Sequence, residues 1–242
     1  MPLDVHGPNG ATLHVVHAED AHLLGIAGDL FLSIFPEDKH HLAYVRACAY
    51  GRYPCHPNTV DHVWLVEQAG EWVGLRMFSS ILTRNFGYGV YVGFVPKARG
   101  QGLGHWLAGL VHEQLDIDAR LFDKPGSIGF VAEVQRPIDC ETDEERRYAE
   151  RRLQFHRSCG SIILPVPFIE PAMIEGADYL SPEYVRDASP RPMYLVFNPS
   201  NPGRQIQNLD LVNFIQGIYL DVYLLPRKHE YVQHSLSYLY RE

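Results

Sequence analysis

Between Val90 and Leu115 the chain passes from a β-rich run, through Pro96 and three glycines at alternate positions, into an apolar stripe at helical spacing. The glycines are Gly100, Gly102 and Gly104. The stripe is Leu103, Leu107, Leu110, Val111 and Leu115, at i, i+4, i+7, i+8 and i+12. Few folds accommodate that order. Glycines let the backbone turn tightly and bring its N–H groups close to a ligand. At the start of a helix those groups lack intrahelical acceptors and lie at the positive end of the dipole, so they form an anion site. Each such contact is worth about 0.3 to 2 kcal/mol, and several together hold a diphosphate with little side-chain charge.

Three phosphate loops compete for the segment. A nucleoside-triphosphate loop requires Lys followed by Ser or Thr after its last glycine, whereas His105-Trp106 follow here. A dinucleotide fingerprint requires G-x-G-x-x-G in an early βαβ unit; the spacing here is G-x-G-x-G, well into the chain. What remains is R-x-x-G-x-G, with Arg99, Gly102 and Gly104 in register after a strand that ends in Val95-Pro96. A ligand-free strand-to-helix turn is the bland alternative.

Around this segment the pattern predicts a strand over Thr12 to His17, then a helix capped by Asp20 that runs to Ile34 and stops before Pro36. A second helical stretch covers Asp38 to Tyr50. His62 to Glu67 and Trp72 to Ser80 read as an antiparallel hairpin, and Tyr88 to Val95 as the strand leading into the glycine loop. Gly129 to Gln135 is a further strand. Thr142 to Glu145 has capping-box spacing and opens a helix ending at Gly160, with Ile162 to Pro167 strand-like again. Beyond Pro171 come Pro-rich loops such as that at Pro182, a strand over Met193 to Phe197, and a mostly buried helix over Leu209 to Leu224.

The bulk composition bounds the partners. A net charge of −8 leaves no surplus of Lys and Arg for nucleic acid. The cluster Arg146, Arg147, Arg151 and Arg152 alternates with Glu144, Glu145 and Glu150, as on a solvated helix face. No apolar run approaches the roughly 18 residues of a membrane span, and the first residues lack a signal-peptide pattern. Cys48, Cys55, Cys140 and Cys159 are scattered without a CxxC pair, and the histidines lack metal-ligand spacing. The expectation is a cytoplasmic protein with no membrane partner and no metal.

At Arg99, Gly102 and Gly104, and in the order of its elements from about residue 12 to residue 166, the chain resembles the general N-acetyltransferase (GNAT) superfamily, whose coenzyme-A motif is Arg/Gln-x-x-Gly-x-Gly/Ala. The resemblance implies an α/β (α+β) fold: a mixed, mostly antiparallel sheet flanked by helices, with splayed central strands. The core would span residues 1–168, and residues 169–242 a C-terminal extension packed on it. The tail could cover the acceptor mouth, extend the sheet or form a homodimer interface.

The resemblance also implies acetyl-CoA as co-substrate and a primary amine as acceptor, most simply that of a small molecule. Phe94 and Val95 would pair their backbone with the pantetheine arm. Arg99, Gly100, Gln101, Gly102, Leu103 and Gly104 would wrap the pyrophosphate. Many relatives carry a Glu on the strand before the loop, and here Tyr88 to Phe94 has no carboxylate. Glu133, amid apolar residues on the next strand, is the replacement base; a Glu paired to an Arg or lying at an exposed strand edge is the alternative. His156 stands four residues before Gly160, where the family often has a general-acid Tyr, and with an ordinary pKa about a quarter of it would be charged at pH 7. It would protonate the departing sulfur, or else fill the tyrosine-shaped slot with no proton role. Glu37 and Asp38, between the first two helices, could receive a cationic acceptor or be plain turn residues. Both departures also allow a second reading, a non-catalytic acyl-CoA-binding sensor or scaffold.

Overall fold

The computed structural model describes residues 5–51, 56–171 and 190–240; Cys55 and Pro182 lie outside them. The strands are β1 (Val5–His6), β2 (Ala11–Val15), β3 (Thr59–Gln68), β4 (Glu71–Ile81), β5 (Phe86–Phe94), β6 (Gly129–Gln135), β7 (Ile162–Ile163), β8 (Phe168–Glu170) and β9 (Arg191–Pro199). The helices are α1 (Ala21–Ile34), α2 (Leu42–Tyr50), α3 (Leu103–Leu121), α4 (Asp143–Ser158), α5 (Asn208–Gln216) and α6 (Glu230–Leu239). No helix of the described residues is long and apolar enough to cross a membrane.

The strands form one sheet in the order β1-β2-β3-β4-β5-β6-β9-β7, with β8 also on β9. Every pairing is antiparallel except β5 with β6. That parallel ladder is short: it joins Gly87 to Phe130, Tyr88 to Val131 and Gly89 to Ala132, then ends. The cause lies on the other edge of β5. Its register with β4 jumps between Met77–Tyr91 and Phe78–Gly89, leaving Val90 as an extra residue. A bulge of this kind bends its strand. Beyond it Val90 to Phe94 bond only to β4, and Glu133 to Gln135 only to β9. Two strand edges therefore diverge in the middle of the sheet.

Helices cover both faces. On one, α1, α2, α5 and their neighbours bury Phe31, Tyr44, Phe214 and Tyr219 against Leu75, Phe86, Val131 and Phe197. On the other, the α3 stripe and Leu153 of α4 pack on Trp64, Phe78 and Phe130. The stripe read from the sequence is the buried one, with Leu103, Leu107, Leu110, Val111 and Leu115 all in this layer.

Local signals placed the helix ends well. Asp20 caps α1 by accepting from Leu23 N–H at 2.9 Å, and Thr142 with Glu145 forms the capping box of α4. Three elements differ from the pattern. The stretch read as helical from Asp38 begins as a 3₁₀ turn over Pro36–His41, so α2 starts only at Leu42. The helix expected over Leu209 to Leu224 stops at Gln216 and continues as a π turn over Gly217–Val222. That turn seats Asp221, which accepts from Arg84 Nε at 2.5 Å. The sequence reading missed α6, whose buried face is Tyr231, Val232 and Ser235. The tail contributes to the sheet itself. β9 lies between β6 and β7, and without it β6 would have no antiparallel partner.

Candidate active site

The glycine loop hangs from the end of β5. Val95 N–H bonds to the Val73 carbonyl at 2.9 Å, Pro96–Ala98 form one 3₁₀ turn, and Arg99 Nε returns to the Phe94 carbonyl at 2.9 Å. The Gln101 side chain braces the loop, donating to the Lys97 carbonyl at 2.9 Å and accepting from Gln68 Nε2 at 3.1 Å. Gly100 and Gly102 have φ of 75° and 82°, the left-handed region where a Cβ costs about 1–2 kcal/mol. Gly104 serves a different need. A Cβ there would lie 2.8 Å from the Phe155 ring, so its absence lets α4 close on α3.

The backbone N–H groups of Gly100, Gln101, Gly102, Leu103, Gly104 and His105 have no acceptor among the described residues. The first helical bond of α3 runs from Trp106 N–H to the Gly102 carbonyl at 3.1 Å. These amides are available to an anion, and no side-chain cap has claimed them. From this loop the free edges of β5 and β6 run toward the end of their ladder. An extended, amide-bearing chain could pair with such an edge as an added strand does.

On the α1/α5 side of that ladder end lies Glu133. It is neither paired to an Arg nor left on a bare edge. Tyr88 donates to its Oε1 at 2.5 Å, and the Tyr223 hydroxyl lies 3.2 Å from Oε1 and 3.3 Å from Oε2. The two hydroxyls are 3.2 Å apart, and both tyrosines are buried. Desolvation and the Glu170 charge push the Glu133 carboxyl well above the ordinary carboxylate range, and the tyrosine hydrogen bonds oppose that rise. The arginine that could have neutralised it, Arg191, bonds to Glu170 at 2.9 Å instead. Such a group takes up a proton more readily than an exposed carboxylate, as a base near neutral pH must.

His156 sits in the last turn of α4. Burial, with the charges of Arg76 and Arg152, lowers its pKa to about 4. The quarter-charged imidazole expected from an ordinary pKa is therefore replaced by a neutral one at pH 7. Burial also pushes the neighbouring Cys159 thiol up, with Arg76 opposing. Asp38 lies at the α1–α2 junction, its carboxyl raised by desolvation and by Glu37. Asp38, His40 and His41 bring three ligand-type atoms within 4.8 Å of one another, but Arg191 and Arg152 also act on Asp38 and oppose a cation there. His41 is hydrogen-bonded to Tyr91, a residue of the free β5 edge.

The loop residues Arg99 to Gly104 thus follow directly on Phe94 and Val95 at the end of β5. Glu133 belongs to the layer of Tyr88 and Tyr223, and His156 to α4 on the opposite layer. Sequence reasoning missed Tyr88, Tyr223 and Arg76. The test that singled out Glu133, a charge inside an apolar strand, would also have found Arg76 in Gly74-Leu75-Arg76-Met77-Phe78. Nothing local marks Tyr223, which reaches Glu133 from the tail.

No protein-family model and no curated protein matches the sequence. Solved structures do. A protein assigned to the GNAT acetyltransferase family, from Bacteroides thetaiotaomicron, superposes with a TM-score of 0.59 over 88% of this chain and 99% of its own, at 19% identity. An aminoglycoside 6'-N-acetyltransferase complexed with coenzyme A covers 80% of this chain and 99% of its own at 12% identity, with a TM-score of 0.49. The mixed sheet with its divergent central pair, the two helical layers and the first of these superpositions agree: this chain has the GNAT fold.

Proposed function

We propose that the protein is an acetyl-CoA-dependent N-acetyltransferase acting on a primary amine of a small molecule. The observation that carries this reading is the run of backbone N–H groups from Gly100 to His105 without acceptors, at the helix start that adjoins two unpaired strand edges. A diphosphate satisfies the first feature and the amides of a pantetheine arm the second. The loop amides hold the pyrophosphate, with Arg99 and Gln101 shaping the loop. Phe94 and Val95 carry the strand end along which the arm lies.

At the ladder end, Glu133 accepts the proton that the amine must shed. Tyr88 and Tyr223 hold its carboxylate in place, and Oε2, with one long hydrogen bond, keeps room for the incoming N–H. The amine nitrogen forms its bond to the thioester carbon, the C–S bond breaks, and the electron pair leaves on sulfur. His156, neutral, offers that sulfur a hydrogen bond rather than a proton.

The test is acetyl-CoA-dependent release of free thiol across a panel of small primary amines, beside thermal unfolding with acetyl-CoA. Saturation at 100 times Kd adds about 2.7 kcal/mol of stability. No stabilisation by acetyl-CoA would end the coenzyme assignment. Stabilisation without thiol release on any amine would reduce the protein to a binding module.

A further inference from the structure

Arg76 lies in the middle of β4, among apolar residues, and is only 6% exposed. No carboxylate among the described residues pairs with it, and its Nε has no hydrogen-bond partner. Burial lowers its pKa to about 10, which still leaves it charged at neutral pH. A buried unpaired cation is strongly disfavoured, so a position like this calls for an anion to complete it.

Its place in the sheet says which anion. Arg76 is in register with Val92 of β5, yet its guanidinium carbon lies 4.7 Å over the ring of Phe130 on β6. The side chain therefore crosses β5. Gly89 makes room for the Phe130 ring: a Cβ there would lie 2.5 Å from it. Gly89 is the last β5 residue paired to β6. The guanidinium thus stands where the strands part, on the α3/α4 layer, with Glu133 and its tyrosines on the layer opposite. The titratable groups that feel it are His112 of α3 and His156 and Cys159 at the end of α4. Burial favours the neutral form of all three, so none supplies the missing negative charge.

We infer that Arg76 is the counter-charge for the coenzyme A thiolate released when the C–S bond breaks, held across β5 over the Phe130 ring. This rests on the acetyl-CoA reading above. As the amine nitrogen bonds to the carbonyl carbon, the C–S electron pair moves to sulfur, and the new anion meets the unpaired guanidinium. The thioester carries no such charge before reaction, so the interaction favours the product side of the step over the bound substrate.

The experiment compares the affinities of coenzyme A, desulfo-coenzyme A and acetyl-CoA across pH, for the wild type, Arg76→Met and Arg76→Lys. A free thiol has a pKa near 8.5, and a cation beside it lowers that value. In the wild type, coenzyme A should gain on desulfo-coenzyme A by about tenfold between about pH 6 and about pH 8.5. Arg76→Met should flatten that ratio while keeping acetyl-CoA affinity, and should lower kcat more than it changes KM; Arg76→Lys should restore part of the slope. A flat wild-type ratio with acetyl-CoA bound overturns the inference and leaves the coenzyme reading intact. So does a wild-type slope retained in Arg76→Met. Failure of the wild type to bind any of the three removes both. Should Arg76→Met not fold, the wild-type ratio decides alone.

Discussion

The glycine loop after β5 and the Glu133 cluster on β6 are built in opposite ways. The loop is contiguous: Arg99 to His105 supply their own amides, and the backbone angles of Gly100 and Gly102 set their direction. The cluster is dispersed: Tyr88, Glu133 and Tyr223 come from β5, β6 and the turn after α5, and each is useless without the others. One site is made of unpaired backbone, the other of a half-buried carboxyl held by two buried tyrosines. A loop of the first kind offers partial charges to a ligand and needs no shifted pKa. A cluster of the second kind holds a carboxyl whose pKa is raised by its surroundings.

That contrast can be broken by separating binding from turnover. Glu133→Gln should have the largest effect, lowering kcat by about 10²- to 10⁴-fold while acetyl-CoA still stabilises the protein against heat. Gly102→Asp should do the reverse. It puts a carboxylate among the free amides, with no atom within 4 Å of the new Cβ; the strain of a Cβ at φ 82° lowers stability with and without coenzyme, so the ligand-dependent shift reads the charge. The roughly 2.7 kcal/mol stabilisation by acetyl-CoA at 100 times Kd should vanish. If both variants lost binding together, the two sites would be one structural unit and the distinction would fail.

Smaller changes sharpen it. Tyr223→Phe removes a donor that favours the Glu133 carboxylate, so the Glu133 pKa should climb further. The acidic limb of kcat/KM should then move to higher pH, with a modest loss at the plateau. An unmoved limb would mean that Glu133 does not set it.

The smallest effect concerns His156. Its folded pKa of about 4 lies below the 6.5 of an unfolded chain, so between those values the unfolded state binds more protons. The stabilisation it gives is complete above about pH 6.5 and is lost as pH falls toward about 4. In His156→Gln, chemical unfolding across that window should show a shallower decline, and His41, also lowered to about 4, should account for part of what remains.

Much of the fold could be read in advance because its signals are local. Asp20 and Thr142 cap the helices that begin just after them, and the α3 stripe shows which face is buried. The divergence of β5 and β6 could be expected only through the family resemblance. Its physical cause, the extra residue Val90 opposite Met77 and Phe78, is a property of strand register that no single segment reveals. The tail illustrates the same limit. A strand over Met193 to Phe197 was legible, but its insertion between β6 and β7 depends on which edges are left unsatisfied once the sheet has formed.

By itself, then, the sequence determined the glycine loop, the helix that follows it and the candidacy of Glu133 and His156. These follow from backbone conformation, helical spacing and the oddity of one charge in one strand. Only the tertiary structure decided that Glu133 is held by tyrosines, that burial lowers the His156 pKa, and that Arg76 lies over Phe130 with no carboxylate partner among the described residues. Protonation and pairing depend on burial and on neighbours far along the chain: Tyr223 lies 90 positions from Glu133. Low-dielectric surroundings of that kind exist only after folding has brought such residues together.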